Sequence, residues 1–127
     1  MNTIFGIGTD IVDISRIKKL LNNKKFINKV FAINEIKYCE SKSNKIAYYS
    51  KRFAAKEAFA KSLGTGISKG ILFNEISIIN NKNGAPSIKL LGKTKIITKS
   101  IIKKKHKIYL SLSDEKKYAS AMVVISC

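Results

Sequence analysis

The chain has 127 residues, a net charge of +17 at pH 7, and 45% hydrophobic residues. This length suits a single domain with one core, and the apolar content excludes a disordered chain. The two cysteines are far apart with no histidine beside them, which excludes a disulfide framework or a structural zinc site.

The positive charge favours anionic partners. However, 23 of the 25 basic residues are lysines, and we interpret most of them as a solvated surface. Arg16 and Arg52 are the more informative cations, because arginine binds phosphate in a bidentate manner. No apolar run approaches the roughly 18 residues that span a bilayer, and the N-terminus has no basic leader, so we expect a soluble protein without a membrane partner. The two separate cysteines fit a reducing cytoplasm.

The first third of the chain predicts one strand followed by three helices. The strand covers Ile4–Val12, whose β-branched residues and two glycines indicate a mostly buried position with close backbone contacts. An amphipathic helix over Asp13–Leu21 follows, with Arg16, Lys18 and Lys19 around its outer face. Two short helices are predicted over Lys24–Val30 and Asn34–Glu40.

The longest helical pattern covers Lys45–Leu63, and Gly64 ends it. Beyond it, the chemistry of the turn between Asn81 and Pro86 predicts a hairpin of two strands, Glu75–Asn80 and Ser87–Leu91. Lys93–Lys105 is predicted as an amphipathic helix, and Ile108–Ser113 and Tyr118–Ser126 as a second hairpin. We interpret the single histidine, His106, as solvated among lysines.

Two acidic residues could carry chemistry. Asp10 lies near the end of an apolar strand, where a carboxylate must be hydrogen-bonded, paired or bound to metal; alternatively it caps the next helix, which Asp13 could do instead. Glu57 has Phe53, Ala60 and Lys61 among its neighbours on one face of the long helix. It either pairs with Lys61 on the helix surface or forms a metal or phosphate site before the Gly64–Thr65–Gly66 turn.

Four segments together resemble the holo-acyl-carrier-protein synthases, a family of phosphopantetheinyl transferases. They are GIGTDIVDISRI from Gly6, RFAAKEAFAKSLGTGI from Arg52, NGAP from Asn83 and SLSDEKKYASAMVVI from Ser111. The resemblance extends over essentially the whole chain. It implies an α+β fold with helices packed on a small antiparallel sheet, assembled as a homotrimer with active sites between subunits.

The resemblance also implies the reaction. The phosphopantetheine arm of coenzyme A is transferred to a serine of apo acyl carrier protein, in support of fatty acid biosynthesis, and adenosine 3′,5′-bisphosphate is released. Asp10 and Glu57 would be the two carboxylate ligands of Mg²⁺, and Lys61 would act near the phosphates. This metal assignment agrees with the preference of Mg²⁺ for one or two carboxylates together with substrate phosphates.

The remaining site residues come from the same resemblance. The coenzyme would be bound by Arg52, Lys61, Gly64, Thr65, Gly66, Gly84 and Pro86, the last two reaching it from a neighbouring subunit. Arg16, Lys18 and Lys19 would dock the acidic carrier protein. The chain departs from the family pattern at Ala32, where threonine is more usual, at Ala85, where many members have a basic residue, and at Asp114, where many have histidine.

Two other functions are compatible with a basic chain that carries two carboxylates. One is a nucleic-acid-binding module, but the lysine-rich segment Lys93–Lys107 contains no aromatic residue or arginine, so we expect no nucleic-acid partner. The other is a different Mg²⁺-dependent phosphoryl-transfer enzyme, which would act on nucleic acid without coenzyme A.

Overall fold

The computed structural model of the protein describes residues 3–64 and 70–127. Helices and strands follow one another in separate runs, as expected for an α+β fold. In these ranges the elements are β1 (Ile4–Asp13), α1 (Ile14–Leu20), α2 (Lys24–Val30), α3 (Ile33–Glu40), α4 (Lys45–Ser62), a 3₁₀ turn (Phe73–Glu75), β2 (Ile76–Asn80), β3 (Pro86–Leu90), α5 (Gly92–Ile102), β4 (Lys107–Asp114) and β5 (Tyr118–Ser126). No helix in the described ranges is long and apolar enough to cross a lipid bilayer.

The predicted elements are confirmed in type and order, and one boundary differs by several residues. The predicted helix over Lys93–Lys105 ends as α5 at Ile102, because Lys103 adopts a left-handed conformation with φ 62° and terminates it. The start of α5 depends on Glu75, whose carboxylate accepts hydrogen bonds from the backbone N–H and hydroxyl of Thr94. Glu75 is 19 residues before Thr94, so the residues next to the start of α5 do not reveal this acceptor.

The strands form two antiparallel sheets. One has the order β1-β5-β4, and the other consists of β2 and β3. Both predicted hairpins are therefore present, and the pairing of β1 with β5 brings the two ends of the chain together. In that pairing Asp10 lies opposite Ala121 and Gly8 opposite Val123.

Helix α4 packs across the inner face of the three-stranded sheet. Its small residues Ala54, Ala55 and Ala58 are fully buried, which allows a very close approach of the two backbones. A Cβ atom on Gly8 would lie 1.9 Å from the carbonyl oxygen of Ala58, and one on Gly6 would lie equally close to that of Ser62. The glycines of β1 therefore determine how closely α4 approaches the sheet. This approach in turn determines the distance between the side chains that β1 and α4 carry near the contact.

The outer face of the same sheet is exposed. Alternate residues of β1 and β5 point away from α4, and their apolar side chains are open to solvent in the single chain. The prediction that β1 is mostly buried is wrong for the isolated chain, because the helices cover only one face of the sheet. We call this surface the outer sheet face; its large exposed members are Ile7 (52%), Ile11 (66%), Tyr109 (53%), Tyr118 (45%) and Met122 (46%).

Candidate active site

Asp10 and Glu57 are brought together by the contact between β1 and α4. Asp10 lies on the helix-facing side of β1, two residues after Gly8, and its side chain is only 15% exposed. Glu57 precedes Ala58, the residue whose carbonyl Gly8 approaches. Burial raises the pKa of the Glu57 carboxyl, and the charge of Asp10 raises it further, so the two carboxylates repel each other across this junction.

Lys61 completes the cluster in a way that the sequence did not indicate. Its Nζ atom lies 3.1 Å from Oδ1 of Asp10 and donates a second hydrogen bond of 2.9 Å to the carbonyl oxygen of Thr9. The alternative of a surface Glu57–Lys61 ion pair on one helix is not what the structure shows, because Lys61 reaches across to β1. Lys61 remains 55% exposed, so its ammonium group is accessible to a ligand.

The two carboxylates suit a hard cation. Carboxylate oxygens are ligands that Mg²⁺ accepts, and a site with only two protein ligands leaves positions for water and substrate oxygens. Among the described residues no group of three or more histidine, cysteine or acidic side chains gathers to form a closed metal site. A divalent cation between Asp10 and Glu57 would also relieve the repulsion that raises the pKa of Glu57.

Asp13 resolves the alternative that Asp10 caps a helix. The Oδ1 atom of Asp13 accepts hydrogen bonds from the backbone N–H and the hydroxyl of Ser15, at 2.9 and 2.6 Å, and these bonds lower the pKa of its carboxyl. Asp13 is therefore the cap of α1. Asp10 is not used for this purpose and remains in the carboxylate cluster.

Helix α1 presents its cations beside that cluster. Ile17 is fully buried and anchors the helix, whereas Arg16, Lys18 and Lys19 are exposed. The positive charge of Arg16 is near enough to lower the pKa of Glu57, opposing the effect of burial. One end of the cationic surface of α1 therefore borders the candidate active site.

Arg52 lies in the interior of the chain. It is 2% exposed, donates a hydrogen bond of 2.7 Å from Nη2 to Oδ1 of Asn80, and lies over the ring of Tyr38 with its central carbon 4.6 Å from the ring centroid. Nε is buried without a hydrogen-bond partner, 3.9 Å from a carboxylate oxygen of Glu35. A cavity of about 190 Å³ borders Arg52, Tyr38 and Asn80. The role of Arg52 in binding the coenzyme stays a prediction.

The glycines and the proline that were predicted to bind the coenzyme lie in two different parts of the fold. Gly64 follows α4 with φ 77°, whereas Thr65 and Gly66 lie outside the described residues. Gly84 has φ 83° in the turn between β2 and β3, and its carbonyl oxygen accepts a hydrogen bond from Asn80. Pro86 begins β3, in the two-stranded sheet, whereas Asp10 belongs to the three-stranded sheet.

Sequence reasoning missed a buried ion pair between Lys56 and Glu35. Both side chains are fully buried; Lys56 Nζ lies 2.6 Å from Oε1 of Glu35 and also donates to the carbonyl oxygens of Phe73 and Ile76. The second carboxylate oxygen of Glu35 accepts from the backbone N–H of Ile78. Burial lowers the pKa of Lys56 to about 8. The position of Lys56 among alanines and phenylalanines could have indicated that it is buried. Its partner Glu35, however, is 21 residues away and cannot be found from local sequence.

The departures at Ala32 and Asp114 have defined structural consequences. Ala32 supplies no hydroxyl to cap α3, but its backbone N–H still donates to Glu35, at 2.9 Å, so half of the capping arrangement remains. Asp114 forms an ion pair of 3.3 Å with Lys51 of α4. Its carboxylate is therefore already engaged with a cation.

Known proteins match this chain along nearly its full length. The family model of the 4′-phosphopantetheinyl transferase superfamily matches residues 6–123. A holo-[acyl-carrier-protein] synthase of Pelagibacter ubique is 47% identical, with 96% of each chain covered. A protein of the same name from Wolbachia pipientis is 48% identical, covering 96% of this chain and 97% of the relative.

A solved structure matches as well. The holo-(acyl-carrier-protein) synthase of Bacillus anthracis, crystallised in complex with CoA (3′,5′-ADP), superposes with a TM-score of 0.80 at 34% identity, covering 97% of this chain and 96% of that one. Agreement in sequence and fold along the whole length leaves one family assignment. The chain belongs to the 4′-phosphopantetheinyl transferase superfamily, among the holo-[acyl-carrier-protein] synthases.

Proposed function

We infer that this protein transfers the 4′-phosphopantetheine moiety of coenzyme A to a serine of apo acyl carrier protein, releasing adenosine 3′,5′-bisphosphate. The observation that carries the inference is the Asp10–Glu57–Lys61 cluster, which places two carboxylates and an accessible ammonium group at one junction. The relatives that match over the whole chain have the same named activity. Each subunit of the enzyme would be one phosphopantetheinyl transferase domain covering residues 1–127.

The reaction exchanges the phosphoanhydride bond of coenzyme A for a phosphoester bond to serine. The serine oxygen forms a bond to the phosphorus that bears the pantetheine arm, the bond from that phosphorus to the bridging oxygen breaks, and the serine proton is released. Asp10 and Glu57 would hold Mg²⁺, which when bound supplies positive charge to the pyrophosphate. Lys61 lies beside Asp10 with an exposed ammonium group, so it can stabilise charge on the departing phosphate or assist the proton transfer.

Coenzyme binding would extend from the cluster along the chain. Gly64, Thr65 and Gly66 follow the C-terminal end of the helix that carries Glu57 and Lys61, and glycines there would let the backbone come close to the coenzyme. Arg52 would contribute through the cavity that it lines together with Asn80. Gly84 and Pro86 would contact the coenzyme from a second subunit, as the family resemblance implies.

The carrier protein would dock on α1. Arg16, Lys18 and Lys19 are exposed on this helix while Ile17 anchors it, and an acidic partner would be attracted to the surface. Because the charge of Arg16 reaches Glu57, a protein bound to α1 can present its serine beside the carboxylate cluster.

The assembly would be a homotrimer in the cytoplasm. Five large apolar side chains lie open on the outer sheet face, and a monomer rarely leaves so large an apolar surface in water. Its neighbours in the trimer would cover this face. Reduced cysteines fit a cytoplasmic location, and Cys39 and Cys127 are both free.

The test is mass spectrometry of an apo carrier protein incubated with this protein, coenzyme A and Mg²⁺. The proposal expects a mass increase of one phosphopantetheine group that depends on all three additions. Replacing the acceptor serine of the carrier by alanine is the control and should abolish the increase. An unmodified carrier with folded enzyme, or cleavage of nucleic acid without coenzyme A, would contradict the assignment.

A further inference from the structure

One segment, less than a third of the chain, carries positive charge and no acidic side chain. Residues 76–113 contain nine lysines and no aspartate or glutamate, so this segment supplies +9 of the net +17. The ion pairs found in the described parts of the chain involve Lys45, Lys51, Arg52, Lys56 and Lys61, none of which lies in this segment. The charge is therefore available to an external anion.

Much of this charge gathers on α5 and the turn that follows it. Lys93, Lys95 and Lys99 are exposed along the helix, and Lys103–Lys105 are exposed immediately beyond it. We call these six lysines the lysine face. The conformation at Lys103, with φ 62°, ends the helix abruptly, so the last three lysines project from a turn instead of being distributed around another helical turn.

An apolar side chain lies in the middle of the lysine face. Ile96 is 69% exposed, although α5 already buries Thr94, Thr98 and Ile102 on its opposite side. On a helix Ile96 shares a stripe with Lys93 and Lys99, which are three residues before and after it. A surface isoleucine surrounded by long cationic side chains is the arrangement by which a helix lies on a bilayer: the isoleucine enters the acyl region and the ammonium groups stay with the headgroups.

A cleft beside α5 also combines apolar and cationic side chains. A cavity of about 260 Å³ lies between β3, α5 and β4, lined by the half-buried apolar side chains of Ile88, Leu90 and Ile108 and by the cationic or polar groups of Lys95, Lys99 and His106. This combination suits an amphiphile with an anionic head and an aliphatic body. A free polyphosphate would use the lysines of the cleft but not its apolar lining.

We propose that the lysine face, with Ile96, is a docking surface for an anionic lipid bilayer. The chemistry favours lipid over nucleic acid, because Ile96 and the cleft residues Ile88, Leu90 and Ile108 are aliphatic and Tyr109, near Lys105, is a single exposed ring. Binders of single-stranded nucleic acid instead stack successive bases on several aromatic side chains. Both arginines lie elsewhere in the chain, at positions 16 and 52. The sequence predicted no membrane partner because the chain has no membrane-spanning segment. Attachment to the surface of a bilayer does not need such a segment.

The test is co-sedimentation of the whole protein with vesicles of phosphatidylcholine, with and without phosphatidylglycerol. We expect binding to the phosphatidylglycerol vesicles only, weakened at high salt. The double variant Lys95→Glu/Lys99→Glu should lose at least about tenfold in affinity. The matched control Lys24→Glu/Lys25→Glu makes the same charge change on exposed residues of α2 and should lose much less.

Ile96→Asn separates a lipid bilayer from other anions, because it leaves the charge unchanged. Weaker vesicle binding by this variant, with unchanged binding to duplex DNA, supports the proposal. Equal losses in the α5 and α2 double variants would overturn it, as would tighter binding to duplex DNA than to the vesicles. Carrier-protein modification is measured separately and should be normal in all these variants, so failure of the proposed transferase activity would be a distinct result.

Discussion

Lys61 forms its ion pair with Asp10, 51 residues away, and not with Glu57, its neighbour one helical turn before. Asp10 is therefore partly neutralised by Lys61, whereas the Glu57 carboxyl beside it has a raised pKa. Within the cluster, Glu57 is the carboxylate that has no ion pair of its own among the described residues. A divalent cation together with the substrate phosphates would complete the charge balance.

The first prediction concerns the two carboxylates. Asp10→Asn and Glu57→Gln should each reduce the rate of carrier-protein modification by at least about 100-fold, because each removes charge where the pyrophosphate must be neutralised. Circular dichroism should show an unchanged fold. Asp13→Asn is the matched control, since it alters a helix cap outside the cluster and should retain most of the activity. Chelation of Mg²⁺ should stop the reaction, and near-normal turnover in either cluster variant would contradict the assignment.

The second prediction concerns the titration of Glu57. Its folded-state pKa is raised, so as the pH falls the carboxylate is protonated at a higher pH than an ordinary glutamate, and Mg²⁺-dependent activity should decline from that pH downward. In the metal-free Asp10→Asn variant one cause of the shift is removed while burial persists, so the pKa should decrease partway. Carbon-13 NMR of labelled glutamate measures it. An unchanged Glu57 pKa in this variant would show that the two carboxylates are not coupled.

Part of this site follows from local sequence and part does not. The helix around Glu57 and the strand ending near Asp10 are local patterns and were predicted, whereas the cap at Asp13 was an open alternative that the structure decided. The Lys61–Asp10 pair depends on how closely β1 approaches α4, which the carbonyl contacts of Gly6 and Gly8 determine. Periodicity within one element carries no information on such a distance.

The buried residues show the same limit. A helix-period pattern assigns Lys56 to solvent or to a surface pair, because lysine is seldom fully buried. Here the helix is covered on most of its circumference, and the partner Glu35 is contributed by α3. The outer sheet face shows the opposite case. Strand β1 has the composition of a buried strand, but in the single chain no element packs on its outer face.

The third prediction concerns the Lys56–Glu35 pair. Lys56→Met should lower the free energy of unfolding by about 3–5 kcal/mol, because it leaves the buried Glu35 carboxylate with only the longer contact to Arg52. The matched control is Lys45→Met. Lys45 pairs with Glu40 at 3.2 Å but both side chains are about half exposed, so this loss should be below about 1 kcal/mol. Urea denaturation measures both, and similar losses in the two variants would show that the buried pair has no special role.

The fourth prediction concerns carrier docking on α1. Arg16→Glu should raise the Michaelis constant for the carrier protein, with strong salt dependence, and leave that for coenzyme A nearly unchanged. Because Arg16 also influences Glu57, Lys18→Glu is the cleaner variant and should act in the same direction. Lys24→Glu on α2 serves as the control. Equal effects on the two substrates, or an effect as large from Lys24→Glu, would place the docking surface elsewhere.

The last prediction concerns assembly through the outer sheet face. Ile11 is 66% exposed in the single chain, and in a trimer it would be covered, so Ile11→Lys should place a charge in an apolar interface. Light scattering should find a trimer for the wild type and smaller species for this variant, with much lower activity. Ile33→Lys is the matched control, because Ile33 is 76% exposed at the start of α3, outside the sheet, and should leave the assembly intact.

A mixing experiment tests whether the neighbours share an active site. Gly84 has φ 83°, so Gly84→Val should distort the β2–β3 turn while leaving Asp10 and Glu57 in place. If Gly84 reaches the coenzyme of a neighbouring subunit, inactive Glu57→Gln and Gly84→Val proteins should regain activity when their subunits are exchanged, since some interfaces then pair an intact carboxylate cluster with an intact turn. Two copies of the same variant mixed under identical conditions provide the baseline. Absence of recovery after confirmed subunit exchange would assign each active site to one chain, and a fully active wild-type monomer would remove the need for the interface.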